Sequence, residues 1–164
     1  MIRRHQRKLA PTLALGLLVV LGLWRGAGGP SARVIGLESS PEPFRAGSII
    51  SGNAFTIDGD TIRIGNRTKV RLSGVAAPER DEPGGPEATR FMKRLINGKM
   101  VRCQLNGKQS YDRMVGVCFL DGNDIGRAII AEGLARDCPR YSGGHYSAVE
   151  PNKARLLPFP DYCR

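Results

Sequence analysis

Between residues 52 and 72 lie three short strand-like runs, 52–57, 61–64 and 68–72, and apolar and polar positions alternate in the last two. Asp58-Gly59-Asp60 separates the first two and Gly65-Asn66 follows the second. Period-two alternation is the mark of a half-buried strand, and Gly beside Asp or Asn supplies the chemistry of a tight reversal. The pattern then changes. A stretch loaded with Pro, Gly and acids, 76–85, predicts a loop. From Pro86 to Asn97 the period becomes helical, with Phe91, Leu95 and Ile96 on one stripe. Pro86 suits the first turn, Glu87 the positive end of the helix dipole, and Gly98 the stop. Strand-like runs return at 100–105 and 114–120, an antiparallel pair around a loop at 106–113. After Asp121-Gly122-Asn123, an amphipathic helix is predicted over 125–135. From Arg136 on, Gly143-Gly144 and four prolines predict an irregular tail with only a short helix. Five strands, one helix before the last two and one after them predict an α+β fold, a small five-stranded β-barrel with flanking helices.

The amino-terminal end follows another grammar. Arg3, Arg4, Arg7 and Lys8 precede an uncharged, mostly apolar run over residues 9–24, and Arg25 follows. A basic start and a short apolar middle predict export. The run is shorter than the roughly 20 residues of a spanning helix and lacks a clean small-x-small cleavage pattern. A cleaved signal peptide and a membrane anchor through residues 9–24 both remain open. Residues 1–33 are thus a leader, 34–47 a flexible linker rich in Gly, Pro and Ser, and 48–164 the folded domain.

The charge pattern follows this division. The whole chain carries +10, but six of its 25 basic residues lie in 1–33, which hold no acid. The 15 acids therefore face 19 basic residues from residue 34 on, a net +4. Such a body suits a polyanionic partner without demanding one. All four cysteines, Cys103, Cys118, Cys138 and Cys163, follow the leader. An even number in an exported chain favours disulfides over free thiols, and no pair has zinc-knuckle spacing. If the last two strands pair as read, Cys103 and Cys118 lie opposite each other, leaving Cys138 and Cys163 to tie down the tail.

Hydrolysing a phosphodiester needs an activated water and neutralisation of the charge building on phosphorus, often with a divalent cation. Asp58, Asp60 and Glu79 offer hard oxygens or a base; Arg71 and Arg113 offer bidentate grips on phosphate. Taken singly, the acids are turn residues and the arginines surface charges. Together, six blocks in order change the reading. Asp58-Gly59-Asp60-Thr61, residues 70–79 (Val-Arg-Leu-Ser-Gly-Val-Ala-Ala-Pro-Glu), Gly85-Pro86-Glu87-Ala88, Tyr111-Asp112-Arg113, Asp121-Gly122 and Glu132-Gly133-Leu134-Ala135 resemble the thermonuclease (staphylococcal nuclease-like) family.

That resemblance implies an OB-type barrel and calcium-dependent cleavage of DNA or RNA; the chain is expected to be monomeric. By position, Arg71 and Arg113 match the phosphate-binding arginines and Glu79 the carboxylate that handles the attacking water. Asp60 matches a metal-ligating aspartate, and Ala77 a position whose backbone carbonyl reaches the metal. Asp58 lies near the site, behind its ligands. Tyr111 matches a tyrosine flanking the nucleotide; for Tyr141 and Tyr146, packing is an equal expectation, and His145 is read as a solvated loop residue. One position departs. The family has an aspartate, its second carboxylate ligand, where this chain has Ala76. With fewer charged ligands the expectation is weakened or altered metal preference, with Asp58 or Asp81 as possible substitutes. The alternative reading is a catalytically weak or inactive nucleic-acid-binding module of the same fold.

Overall fold

In the computed structural model, residues 46–164 are described; the stretches expected to be leader (1–33) and, but for residues 46–47, linker (34–47) lie outside the described residues. Among the described residues no helix is long and apolar enough to cross a membrane. The alternating runs form strands β1 (Ile49–Thr56), β2 (Thr61–Ile64) and β3 (Thr68–Leu72), joined antiparallel in order. β1 also pairs antiparallel with β5 (Met100–Ser110), and β5 with β6 (Arg113–Leu120). β3 then pairs in parallel with β6, Arg71 standing opposite Val115. The pairings therefore run from β1 through β2, β3, β6 and β5 back to β1, in a mostly antiparallel α+β fold.

Ile62, Val70, Leu72, Val101 and Leu105 turn inward from these strands. Helix α1 (Gly85–Ile96) adds Ala88, Met92 and Ile96; the predicted stripe residues Phe91 and Leu95 lie at the edge of that buried face. Helix α2 (Ile125–Ala131) adds Ile125, Ile129 and Ile130, its first turn capped by Asp124 Oδ1 accepting from the N–H groups of Gly126 and Arg127. Each of the Ile, Leu, Val and Met side chains among them contributes about 1.5–3 kcal/mol when fully buried.

Several predicted boundaries move. The loop read at 106–113 is mostly strand, because β5 runs on to Ser110 past a bulge between Leu105 and Gln109. Its residues 106–109 are all exposed and polar, so no alternation betrays the pairing. Only Tyr111-Asp112 form the turn. The helix read to residue 135 stops at Ala131, since Gly133 takes a φ of 70° and breaks the ladder. The loop read from Ala76 instead begins with β4 (Val75–Ala76), paired with β8 (Arg136–Asp137). Another two-residue strand, β7 (Asn123–Asp124), joins β6. Strands this short carry no period. The tail holds α3 (Pro139–Ser142) and three 3-10 turns, in line with its breakers.

Both expected disulfides are present, Cys103–Cys118 and Cys138–Cys163. Cys103 and Cys118 are direct cross-strand partners on β5 and β6, so their bridge fastens the hairpin that carries Arg113.

Candidate active site

The site begins at the 58–60 turn. Gly59 is required there by packing: a Cβ would sit 2.5 Å from the Ala77 Cβ and 2.8 Å from the Ala88 Cβ. That close approach seats the turn beneath the β4 loop and α1, and buries Asp60. Asp60 Oδ1 accepts from Arg71 Nη1 and, at 3.1 Å, from the Thr61 hydroxyl; Oδ2 accepts from the Ala77 N–H at 3.1 Å. Burial pushes the Asp60 carboxyl up to about 7; the Arg71 guanidinium pulls it back down and the Asp58 charge adds to the rise.

Arg71 sits on β3 between buried Val70 and Leu72, so its half-buried side chain leaves the opposite face of a rigid element. Besides Asp60, its Nη2 donates to the Val75 carbonyl at 3.4 Å and to the Tyr162 hydroxyl at 3.2 Å. Arg113 opens β6. It donates to Thr61 Oγ1 at 3.0 Å, to Ser110 Oγ at 3.1 Å and to the Ser110 carbonyl at 3.3 Å. The two arginines are thus linked through a buried Thr61–Asp60 pair, an unbroken chain of hydrogen bonds from β3 to β6. Such a network fixes both guanidinium groups before any ligand arrives.

Arg71, Arg113, Glu79 and Tyr111 line one cavity of about 520 Å³. Glu79 is exposed on the loop after β4, where its own N–H is held by Glu82 Oε2 at 2.8 Å. Gly85 fixes this loop from the helix side: a Cβ there would lie 1.7 Å from the Glu79 carbonyl oxygen. Tyr111 is almost fully exposed, with a φ of 57° that an L-residue adopts at some cost. Its ring lies 5.9 Å from the Arg113 guanidinium, and Lys69 on β3 pairs with Asp112 in the same turn. Lys69 accordingly lowers the Asp112 carboxyl below its usual range.

The described residues do not build a two-carboxylate calcium centre. Both Asp60 oxygens already accept hydrogen bonds, and Asp58 Oδ1 accepts the Asp60 N–H at 3.1 Å. Ala76 is buried against the Cys138–Cys163 bridge and Phe159, so the position of the second ligand is closed by apolar packing. Asp81 is exposed on the following loop. Among the described residues no three His, Cys, Asp or Glu side chains are grouped as a metal would need.

Two participants escaped the sequence reading. Thr61 lay inside a quoted motif but registered only as a strand residue. Tyr162 gave no signal beyond its place beside Cys163. Of the tail tyrosines, Tyr141 lines the cavity, with its ring centroid 6.4 Å from that of Tyr162. Tyr146 is buried and donates to Asp124 Oδ2 at 3.0 Å, a packing role; His145 stays exposed beside it. Burial, with the Asp124 charge, raises the Tyr146 phenol far above its usual value.

Residues 69–154, just over half of the chain, match the staphylococcal nuclease homologue family, a span that takes in Arg71, Glu79 and Arg113. The chain belongs to that family. It is similar to the succinoglycan biosynthesis protein ExoI of Rhizobium meliloti, 35% identical over 62% of this chain and 59% of that protein. It is also similar to an uncharacterized endonuclease of Escherichia coli O157:H7, 31% identical over 60% of this chain and 67% of that protein. To endonuclease YncB of Bacillus subtilis it is 29% identical, over 49% of this chain and 44% of that protein. The chain therefore spans less than two thirds of the first and third of these relatives.

Proposed function

We propose that this chain is an exported nuclease that hydrolyses phosphodiester bonds of DNA, RNA or both. One observation carries the reading: Arg71, Arg113 and Glu79 share a cavity in which the arginines are fixed in advance by the buried Asp60–Thr61 pair. Two relatives named as endonucleases support it. A phosphate entering between the arginines meets donors on two strands. Glu79 positions water for in-line attack and takes its proton, and the arginines stabilise the charge gathering on the phosphoryl oxygens. Tyr111, presented at the hairpin tip, offers its ring to a base; such stacking contributes about 1–3 kcal/mol per base. A divalent cation such as calcium would supply further charge neutralisation, but Ala76 and the engaged Asp60 oxygens do not fit the two-carboxylate centre.

We read the ring of strand pairings as the OB-type barrel, with 48–164 as the domain, 34–47 as linker and 1–33 as signal peptide or anchor. Two disulfides support an oxidising compartment, periplasmic or extracellular, and we read the protein as a monomer. Incubating purified protein with single-stranded DNA and RNA, with each divalent ion and with chelator, tests the function; shortened products are expected. The second reading, a binding module without turnover, is favoured by Ala76 alone. It would be supported by saturable binding of either nucleic acid with no cleavage under any of these ions.

A further inference from the structure

Residues 159–162 lie against the site, although water attack and charge stabilisation by Arg71, Glu79 and Arg113 do not use them. Tyr162 borders both the arginine cavity and an adjoining one of about 370 Å³ that Glu79, Glu82 and Phe159 also line. Its hydroxyl oxygen accepts from Arg71 Nη2, which leaves the hydroxyl proton free to be donated elsewhere. Burial raises the Tyr162 phenol, so that proton stays in place at neutral pH.

What holds Tyr162 there is covalent. The residue belongs to a three-residue 3-10 turn, Asp161–Cys163, too short to be stable alone. Its neighbour Cys163 is bonded to Cys138, whose N–H donates to the Gly74 carbonyl at 2.9 Å. Gly74 lies in the connection from β3 to β4, three residues after Arg71. The bridge thus ties the end of the chain to the backbone that leaves the arginine strand. Phe159 adds a second hold, its ring centroid lying 4.1 Å from the Arg136 guanidinium.

We propose that Tyr162 is a positioning residue of this site, held on Arg71 by the Cys138–Cys163 bridge, so that the site is complete only in the oxidised protein. The inference rests on the nuclease reading for its kinetic consequence and on the Arg71–Tyr162 hydrogen bond for its structural one. Two measurements on the full chain separate these: kcat and KM on single-stranded DNA, and nitrogen NMR of the Arg71 guanidinium.

Tyr162→Phe keeps the ring and removes the acceptor oxygen. It is expected to lower kcat about 10-fold, the size of one hydrogen bond to a charged group, with KM and thermal midpoint nearly unchanged. Cys138→Ser/Cys163→Ser is expected to lower kcat as far. Adding Tyr162→Phe to it should lower kcat no further, since both act through one contact. In every variant the Arg71 guanidinium should rotate faster than in the wild type. Unchanged kcat and unchanged Arg71 resonances in Tyr162→Phe would overturn the proposal. A wild-type protein that cuts nothing would instead defeat the nuclease reading, and the Arg71 resonances would still decide whether Tyr162 positions that side chain.

Discussion

Asp60 is the point on which both arginines converge, directly for Arg71 and through Thr61 for Arg113. Arg71 itself donates to three acceptors on three different segments, a demand that a planar fork meets and a single ammonium does not. Arg71→Lys is therefore expected to lower kcat/KM by about 100-fold with little change in thermal midpoint, as read by steady-state kinetics and calorimetry. Asp60 gives a signed pH effect. Burial lifts its carboxyl from the ordinary 3.8 to about 7, so the folded state holds this proton more tightly than the unfolded chain. The stability it contributes is complete below about pH 4 and is lost as pH rises through about 7. The thermal midpoint should fall across that window in the wild type and hold more nearly level in Asp60→Asn. Arg71, Glu79 and Arg113, which the structure brings to one cavity, stand in motifs that the sequence displays. Thr61 was not legible, since a hydroxyl facing inward from a strand looks like any strand threonine until its partner Asp60 is seen.

The elements explain why Ala76 cannot simply be restored. β4 and β8 pair only over Val75–Ala76 and Arg136–Asp137, which brings Ala76 under the bridge formed by the next residue, Cys138. A carboxylate placed there enters apolar packing without a partner, a cost of several kcal/mol. Ala76→Asp is expected to lower the thermal midpoint and to leave calcium binding no tighter in a calorimetric titration. Tightened, saturable binding would show that the tail yields to a second ligand. The hairpin of β5 and β6 offers a second test. Removing its bridge with Cys103→Ser/Cys118→Ser should cost about 3 kcal/mol, measured by denaturant unfolding, because the loop it closes spans 15 residues. The alternating strands, α1 and this hairpin were readable in advance, since each buries one periodic face. The two-residue strands were invisible for the opposite reason. They are made by partners distant in sequence, and β8 lies in a tail whose prolines and glycines signal only irregularity.

At the scale of the whole molecule, the ring of pairings brings the two arginines together. β3 and β6 are neighbours only because the sheet returns on itself, so Arg71 and Arg113, 42 residues apart in sequence, meet on one cavity. The tail then closes over the side where the family's pattern has its second carboxylate, and Tyr162 arrives where no motif announces it. The net +4 from residue 34 on suits a polyanion, while residues 1–33, which carry the remaining charge, lie outside the described residues. The most direct test of hydrolysis by Arg71, Glu79 and Arg113 compares the rate of single-stranded DNA cleavage by the wild type and by Glu79→Gln, with affinity measured in parallel. The expected result is a loss of about 100-fold or more in rate with affinity held within a few-fold. Equal rates in the two proteins would contradict the assignment of Glu79, and no cleavage by either would leave a binding module in place of an enzyme.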